Sequence, residues 1–306
     1  MQALIQQINS VIVGKESQIR LAIACLLAGG HLLIEDVPGV GKTTLAHALA
    51  KSLGLSFNRV QFTADLMPAD LTGVSIYDRA REQWVYHAGP LFTQVLLADE
   101  INRASPKTQS ALLEAMEEKQ VTSEGQTRAL PAPFFVLATQ NPRDGFGMSA
   151  GTNALPESQL DRFLMRLSLG YPDSASERQL LAGLDSRKRI ETMPAVMTVL
   201  QLADAQQAVL RVHASDALLD YVQRLTAASR SGQWFARGIS PRAAISLLRA
   251  AKAFAYLAGR DFVTPDDVKA VAMPVMAHRL TDLDDLNQAS RSSEAQLAAM
   301  LASIPL

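Results

Sequence analysis

Residues 36–43 read Asp36-Val37-Pro38-Gly39-Val40-Gly41-Lys42-Thr43. An apolar run at 32–34 precedes this stretch and a helical pattern follows at 43–53, which is the order of strand, loop and helix that a phosphate-binding loop requires. Backbone amides of such a loop, together with the N-terminus of the helix, can surround phosphate oxygens. The pattern therefore predicts a nucleotide-binding segment formed by Pro38, Gly39, Val40, Gly41, Lys42, Thr43 and Thr44.

Two side chains of this segment indicate what it binds. Lys42 is expected to contact the β- and γ-phosphates of ATP, and Thr43 is expected to bind Mg²⁺. Asp36 stands where the general phosphate-loop pattern has its first glycine, and this departure concerns only the first turn of the loop. A glycine-rich turn before an ordinary helix is the alternative interpretation, which the order of strand, loop, Lys and Thr argues against.

Two further runs, 95–98 and 134–138, are apolar at every position and predict central parallel strands that are covered on both faces. Polar residues follow both runs, at the edge where open α/β sheets bind ligands. After the first, Asp99 can hold Mg²⁺ and Glu100 can orient and polarise the attacking water. After the second, Asn141 can position the same water or the γ-phosphate, or it can simply cap an Asn-Pro turn.

The rest of the pattern predicts an α/β core followed by a helical domain. Segments 73–90 and 119–131 each predict a β-hairpin inserted into the α/β alternation. The boundary is placed near Gly170, which gives a core at 1–170, a helical lid at 171–280 and a tail of unassigned role at 281–306. In the lid, Ser240-Pro241 and Thr264-Pro265 predict helix starts, and apolar residues of the helix at 241–258, including Ile245, are assigned to the lid core.

Composition narrows the class of protein. The 306 residues are 48% hydrophobic and 19% charged, which is typical of a folded globular protein. The formal net charge is −1, so the chain lacks the excess of basic residues that a protein moving along a nucleic-acid backbone generally has. Neither a membrane span nor a signal peptide is evident, so a cytoplasmic location is expected. Cys25 is the single cysteine and lies in an apolar helical run, which predicts a buried thiol and no intrachain disulfide.

The motifs together resemble one family. The stretch Asp99-Glu100-Ile101-Asn102-Arg103-Ala104-Ser105-Pro106 is similar to the signature of the MoxR family of AAA+ ATPases, a helix-2-insert group, and the resemblance covers roughly residues 8–280. It implies that the first hairpin is the helix-2 insert and the second is the hairpin before sensor 1. It also implies that Asn141 is sensor 1, that Val13 and Gly14 contact adenine through the backbone, and that the helical half is the AAA+ lid.

Two arginines extend the resemblance. The run Leu155-Pro156-Glu157-Ser158-Gln159-Leu160-Asp161-Arg162-Phe163 looks like the arginine-finger segment, which would offer Arg162 to the γ-phosphate of a neighbouring subunit. Alternatively, Arg162 ends a short helix, where the dipole favours any cation. Arg242 lies in the first turn of a predicted helix, where the dipole disfavours a cation and an anion should offset it. Its surroundings resemble sensor 2, which makes that anion a nucleotide phosphate; a nearby carboxylate is the alternative.

The resemblance implies a homo-oligomer, a hexameric ring, that remodels, matures or activates a protein complex. Its expected partners are a protein client and a von Willebrand factor A-domain protein. A metal-insertion or nucleic-acid motor on the same frame is the alternative, but the second hairpin offers only Lys119 and Arg128 against Glu124. A nucleotide-binding scaffold that does not hydrolyse ATP is the third interpretation, and the intact Lys42 and Asp99-Glu100 pair argue against it.

Overall fold

The structure is a computed structural model that describes residues 1–141, 153–182, 185–282 and 293–305. Its helices are α1 (Gln2–Asn9), α2 (Glu16–Leu27), α3 (Lys42–Ser52), α4 (Pro68–Thr72), α5 (Pro106–Glu118), α6 (Glu157–Leu160), α7 (Ser174–Leu181), α8 (Ser186–Thr192), α9 (Val199–Arg211), α10 (Asp216–Arg230), α11 (Pro241–Leu257), α12 (Pro265–Met276) and α13 (Ser293–Ser303). Its strands are β1 (Leu32–Glu35), β2 (Phe57–Gln61), β3 (Gly73–Asp78), β4 (Gln83–Ala88), β5 (Val95–Asp99), β6 (Gln120–Ser123), β7 (Gln126–Ala129), β8 (Phe135–Gln140), β9 (Met165–Leu167), β10 (Phe235–Arg237) and β11 (Thr281–Asp282).

The core is a five-stranded parallel sheet in the order β2-β5-β8-β1-β9. Leu32 in β1 is the register partner of Leu137 in β8 on one side and of Met165 in β9 on the other. The apolar runs predicted as central strands are confirmed as β5 and β8, and both are buried. Parallel pairing requires crossovers, so helices cover both faces and all strands end at one edge.

Side chains of these strands alternate between two hydrophobic layers. Leu32 and Ile34 pack in the layer that includes α1, α2 and α3, while Leu33 packs in the layer on the opposite face, with α5. This alternation follows from the two-residue period of a strand, and it explains why the central strands are apolar up to their carboxyl ends. Cys25 is fully buried in the first layer, as predicted, and its burial raises the pKa of the thiol.

Strand β2 was not predicted from the sequence. It lies at the edge of the sheet and pairs only with β5, so its residues are a mixture of half-buried and exposed. An edge strand does not need to be apolar at every position, and the polar residues in Phe57–Gln61 therefore concealed it.

Both predicted hairpins are confirmed. Hairpin A consists of β3 and β4, and hairpin B consists of β6 and β7, with Glu124 and Gly125 in its turn at positive φ. The hairpins also touch each other. Glu124 accepts a hydrogen bond from the Ser75 backbone amide at 3.2 Å and another from the Ser75 hydroxyl. The guanidinium of Arg128 lies 3.7 Å from the centre of the Tyr86 ring, a cation–π contact.

The second half is the predicted helical lid with one small addition, an antiparallel pair of β10 with β11. The helix starts at Pro241 and Pro265 are confirmed, since Ser240 Oγ accepts from Ala243 N and Thr264 Oγ1 accepts from Asp267 N. Of the predicted tail, residues 283–292 and 306 lie outside the described residues. Its last helix, α13, packs on α10 and α12, and it buries Leu297 and Met300 in the core.

One core assignment in the lid is wrong. Ile245 is 70% exposed, because it lies on the face of α11 that also carries Arg242 and Arg249 and points away from the buried face of the helix. Within the described part of the chain, no helix is both long and apolar enough to cross a membrane.

Candidate functional site

One cavity of about 360 Å³ lies at the carboxyl edge of the sheet. The ends of β1, β5 and β8 meet there, as the parallel arrangement requires. Its lining residues are Pro38, Gly39, Gly41, Lys42, Thr43, Thr44, Arg59, Gln61, Asp99, Glu100 and Asn141. The structure thus brings together the phosphate loop, the acidic pair and Asn141 in one place. Val40 is partly buried and packs on the core instead.

The loop conformation depends on its glycines. Gly39 has φ +88° and Gly41 has φ +99°, values in the left-handed region that residues with a side chain rarely adopt. Since no other atom crowds either position, conformation and not space is what calls for glycine. Gly41 is the cap of α3, so the first amides of that helix begin at the cavity and favour an anion there.

Lys42 is held at the base of the cavity. Its Nζ donates a hydrogen bond to the backbone carbonyl of Asp36 at 2.7 Å. Burial is the largest influence on this group and lowers the pKa of Lys42, while the carboxylates of Asp36, Asp99 and Glu100 act in the opposite direction. The ammonium therefore sits as a partly desolvated positive charge beside three carboxylates, and such a charge suits phosphate oxygens.

Asp99 is fixed through both of its oxygens. Oδ1 accepts from the hydroxyl of Thr139 at 2.6 Å, and Oδ2 pairs with Arg59 Nη2 at 2.7 Å. Thr139 is fully buried at the end of β8, so it gives the Asp99 carboxylate a defined orientation. The carboxylate of Asp99 and the hydroxyl of Thr43 line the same cavity and are hard oxygen donors, which is the ligand chemistry that Mg²⁺ prefers.

Glu100 adopts an unusual backbone conformation, with φ +55° and ψ +50°. Such left-handed conformations of non-glycine residues concentrate at functional sites. The Glu100 amide donates to Thr139 Oγ1 at 2.9 Å, which anchors the strained turn. Its carboxylate accepts from Gln61 Nε2 at 2.8 Å and from Arg103 Nη1 at 2.9 Å.

Sequence reasoning missed two polar residues of this cavity wall, Arg59 and Gln61, which come from the unpredicted edge strand β2. Thr139, one of the polar residues predicted to follow the apolar run 134–138, is the buried hydroxyl that joins Asp99 to Glu100. The run Phe57-Asn58-Arg59-Val60-Gln61 does not alternate between apolar and polar residues, so it lacks the period of two that identifies a half-buried strand. No local signal in the sequence therefore pointed to Arg59 and Gln61.

Val13 and Gly14 lie in the loop between α1 and α2, where the core meets the lid. Gly14 has φ +74°, and a side chain at this position would collide with the Ser176 hydroxyl of α7. Next to it, Lys15 Nζ donates to the backbone carbonyl of Tyr171 at 2.6 Å. A close backbone approach of this kind between core and lid is compatible with the predicted adenine contact, which stays a prediction.

Arg162 and Arg242 do not line the cavity that holds Lys42, Asp99 and Glu100. Both pair with the carboxylate of Glu117 at the end of α5, Arg162 at 3.3 Å and Arg242 at 3.0 Å. The three residues line a second cavity of about 480 Å³. The anion beside Arg242 in this structure is the carboxylate of Glu117, which is the alternative to a nucleotide phosphate that the sequence left open. Arg162 precedes the amino end of β9, whereas the phosphate loop follows the carboxyl end of β1, which is parallel to β9. The two cavities thus lie at opposite ends of the parallel strands, one at the carboxyl ends and the other at the amino ends.

Comparisons with known proteins agree with this architecture. Residues 31–165 match the ATPase family associated with various cellular activities (AAA), and residues 227–300 match an AAA lid domain. The uncharacterized protein YeaC of Bacillus subtilis is 47% identical over 90% of this chain and 85% of its own length. Chaperone MoxR1 of Mycobacterium tuberculosis is 39% identical over 90% and 74%. A crystal structure of a Cytophaga hutchinsonii protein superposes with a TM-score of 0.90 at 35% identity, covering 99% of this chain and 94% of that one.

Proposed function

Since the chain belongs to the MoxR family of AAA+ ATPases, we propose that it hydrolyses ATP with Mg²⁺ to drive the remodelling, maturation or activation of a protein complex. The observation that carries this proposal is the single cavity that joins Lys42 and the phosphate loop to Asp99 and Glu100. Phosphoryl transfer needs chiefly positioning and charge stabilisation, and these groups can supply both.

Each residue has a separate task in the proposed reaction. The loop amides and Lys42 bind the phosphates of ATP, while Thr43 and Asp99 are the oxygen donors that would hold Mg²⁺. Bound Mg²⁺ would contribute positive charge that neutralises the phosphate oxygens. Glu100 orients and polarises the attacking water, and Asn141 positions the same water or the γ-phosphate. Val13 and Gly14 contact the adenine.

The hydrogen bonds of Glu100 bear on how it acts. Gln61 and Arg103 both donate to Oε2, so that oxygen is occupied and Oε1 has no partner in the described contacts. Gln61 and Arg103 therefore fix the orientation of the carboxylate, while Oε1 can accept a hydrogen bond from the attacking water.

Arg162 and Arg242 act, in this proposal, on the ATP of a neighbouring subunit. Both face away from the phosphate loop of their own chain, so they can contribute to hydrolysis only across an interface. This geometry supports a homo-oligomeric ring, for which we propose six subunits. Glu117 holds the two arginines together in the separate subunit and would release them to the incoming γ-phosphate.

The proposed substrate of the motor is a protein in the cytoplasm, and its proposed adaptor carries a von Willebrand factor A domain. The name of the relative chaperone MoxR1 favours a protein client. Charge favours it too, because Arg128, one of the few cations of hairpin B, is already engaged by the Tyr86 ring and by Gln126. A nucleic-acid motor would need such cations free for phosphates.

The test is ATP hydrolysis by the purified chain, measured as phosphate release with Mg²⁺ and with EDTA. Mg²⁺-dependent turnover above that of the Lys42→Ala chain is the expected result. Absence of turnover with retained ATP binding would instead favour a nucleotide-binding scaffold. Affinity capture with the Glu100→Gln chain and ATP would then identify the client, and recovery of nucleic acid in place of protein would favour the alternative motor.

A further inference from the structure

Asp36 occupies the position where the general phosphate-loop pattern has glycine, and its side chain is buried, with 5% exposure. The carboxylate reaches across to the residues that follow the strand β9. Oδ2 accepts from Ser168 Oγ at 3.1 Å, from the Leu169 amide at 2.6 Å and from the Gly170 amide at 2.7 Å. Oδ1 accepts from the Val37 amide at 2.9 Å. A buried carboxylate is thus satisfied by four hydrogen bonds, three of them to one short segment.

That segment, residues 168–171, is the junction between core and lid. Its opposite side is held as well, since Lys15 Nζ donates to the Tyr171 carbonyl at 2.6 Å and Lys15 is itself 8% exposed. Gly170 has φ +64°, a conformation that glycine adopts without strain. The junction is therefore clamped between a carboxylate from the phosphate loop and an ammonium from the loop that carries Gly14.

The backbone of Asp36 makes a second connection. Its carbonyl accepts from Lys42 Nζ at 2.7 Å, and its amide donates to the Gln140 carbonyl at 3.2 Å, next to Asn141. One residue therefore contacts the lysine expected to bind phosphate through its main chain and the core–lid junction through its side chain. The glycine of the general pattern would keep the backbone contact with Lys42 but would lose the side-chain contact with the junction.

The lid begins immediately after this junction. Asp173 caps α7 by accepting from the Ser176 amide at 2.7 Å, and Ser176 lies against Gly14. A displacement of residues 168–171 therefore moves the first lid helix relative to the segment expected to contact adenine. Asp36 thus connects the phosphate loop to the segment that sets the orientation of α7.

From this geometry we propose that Asp36 is a positioning residue that couples the phosphate loop to the core–lid junction, so that ATP affinity depends on its hydrogen bonds to residues 168–170. The inference rests on the proposed ATP binding. In a chain that lacks these bonds, the arrangement of loop and lid that binds ATP is populated less, and apparent affinity falls in proportion to the populated fraction.

Two variants separate this role from others. Asp36→Gly restores the general phosphate-loop residue and removes every side-chain bond to the junction. Asp36→Asn removes the negative charge beside Lys42 but keeps one oxygen that can accept from Leu169 and Gly170. Asp185→Ala is the matched control, since Asp185 is an exposed carboxylate that accepts a backbone bond from Lys188, at 3.1 Å, far along the chain.

The experiment measures ATP binding by titration, kcat and KM by phosphate release, and backbone hydrogen exchange with and without ATP. For Asp36→Gly we expect the dissociation constant and KM for ATP to rise roughly tenfold, as a tenfold smaller competent population predicts, with kcat changed by less than about threefold. The amides of Leu169 and Gly170 should exchange faster, and ATP should no longer slow exchange in α7. Asp36→Asn should lie between Asp36→Gly and the unmodified chain, and Asp185→Ala should match the unmodified chain.

Several results would overturn the inference. One is an Asp36→Gly chain that binds ATP normally although its Leu169 and Gly170 amides exchange faster. Another is an equal loss of affinity in Asp36→Asn and Asp36→Gly while Asp36→Asn keeps those amides protected, which would assign the effect to charge beside Lys42. If Asp36→Gly does not fold, Ser168→Ala removes one of the three bonds and must weaken ATP binding by a smaller factor for the inference to stand. Failure of the unmodified chain to bind ATP would refute the proposed function and this inference together, whereas normal affinity in Asp36→Gly would refute only the inference.

Discussion

Arg162 and Lys42 lie at opposite edges of the same five-stranded parallel sheet. Lys42 follows the carboxyl end of β1 and Arg162 precedes the amino end of β9, which pairs with β1 in parallel. The four residues of β1 alone separate the two edges by roughly 13 Å, at the rise of about 3.3 Å per residue of a parallel strand. An arginine at that distance cannot reach phosphates bound at its own phosphate loop, so any role of Arg162 in hydrolysis requires a second subunit.

The first prediction is complementation between subunits. Arg162→Ala chains retain Glu100, and Glu100→Gln chains retain Arg162, so each variant alone should be nearly inactive. In mixtures, an intact Glu100 meets an intact Arg162 at some interfaces, and phosphate release should recover there. The recovery of the hydrolysis rate should be large, since an arginine finger contributes roughly 10³- to 10⁵-fold to the rate in other nucleotide hydrolases.

Subunit exchange is the control for this experiment and can be followed with labelled chains. If exchanged mixtures stay as inactive as the two parents, Arg162 does not act across an interface. Full turnover by a strictly monomeric form would lead to the same conclusion, and the favourable position of a cation at the end of α6 would then account for Arg162.

The second prediction concerns Glu100→Gln, which should bind ATP normally and nearly stop hydrolysis. The amide keeps the shape of the side chain but lacks the charge that polarises water. Phosphate release and ATP titration measure the two effects separately. Glu191→Gln, the same change at an exposed carboxylate of α8, should leave both unchanged. Turnover near that of the unmodified chain would remove Glu100 from its proposed role.

The third prediction is that Lys42→Ala weakens ATP binding itself, because it removes the positive charge from the β- and γ-phosphates. Titration with a fluorescent ATP analogue measures the change. Lys51→Ala is the matched control, since Lys51 lies in the last turn of the same helix and is exposed. An unchanged dissociation constant for Lys42→Ala would contradict the assignment of the phosphate loop.

The fourth prediction separates two roles of Arg242. If its pairing with Glu117 is only an exposed ion pair, Arg242→Ala should alter the unfolding free energy by less than about 1 kcal/mol and leave ATP turnover intact. If Arg242 serves the ATP of a neighbour, the same variant should keep that stability but lose turnover in the assembled form. We expect the second result, measured by urea unfolding and phosphate release at equal protein concentration.

The fifth prediction is a pH dependence of stability from His31. Its Nδ1 accepts from the Val136 amide at 3.0 Å, so Nε2 carries the proton and donates to the Met116 carbonyl at 3.0 Å. Burial is the main cause that lowers the pKa of His31 to about 4, from an ordinary 6.5. Because the unfolded chain binds the proton more readily, this residue contributes stability above pH 6.5 that is lost as the pH falls towards 4. The full loss is about 3 kcal/mol, at 1.36 kcal/mol for each unit of pKa.

Urea unfolding of the unmodified and His31→Gln chains across this pH range checks the prediction. The difference in stability between the two chains should shrink as the pH falls, because glutamine does not titrate. His87→Gln, at an exposed position of hairpin A, is the control and should follow the unmodified chain. A constant difference between the His31→Gln and unmodified chains would show that His31 does not titrate on unfolding.

The parts of the fold that sequence predicts well are those with local rules. Central strands show unbroken apolar runs, the phosphate loop requires glycines at positive φ, and Ser240-Pro241 places a helix start by its cap. Arg59 and Glu117 could not be found in this way. Each is placed at its cavity by an ion pair with a residue far along the chain, Arg59 with Asp99 and Glu117 with Arg242. Neither residue belongs to a recognisable motif.

Ile245 and α13 show that tertiary packing is equally difficult to predict from local sequence patterns. A helical period identifies one apolar stripe but does not say which neighbouring element covers each residue, so Ile245 was assigned to a core from which it is excluded. The helix α13 follows a polar stretch and is short. Its burial depends on α10 and α12, which no local pattern relates to it.

Helix α5 connects the acidic pair to both hairpins. It begins shortly after Glu100 and ends where hairpin B starts, and hairpin B is fastened to hairpin A through Glu124 with Ser75 and Arg128 with Tyr86. Thirteen residues give α5 a length of roughly 20 Å, at about 1.5 Å per residue. If α5 tilts as a rigid rod by about 10° about its end near Glu100, its other end moves by about 3 Å. Because the two hairpins contact each other, such a tilt would displace them together by the same few ångströms.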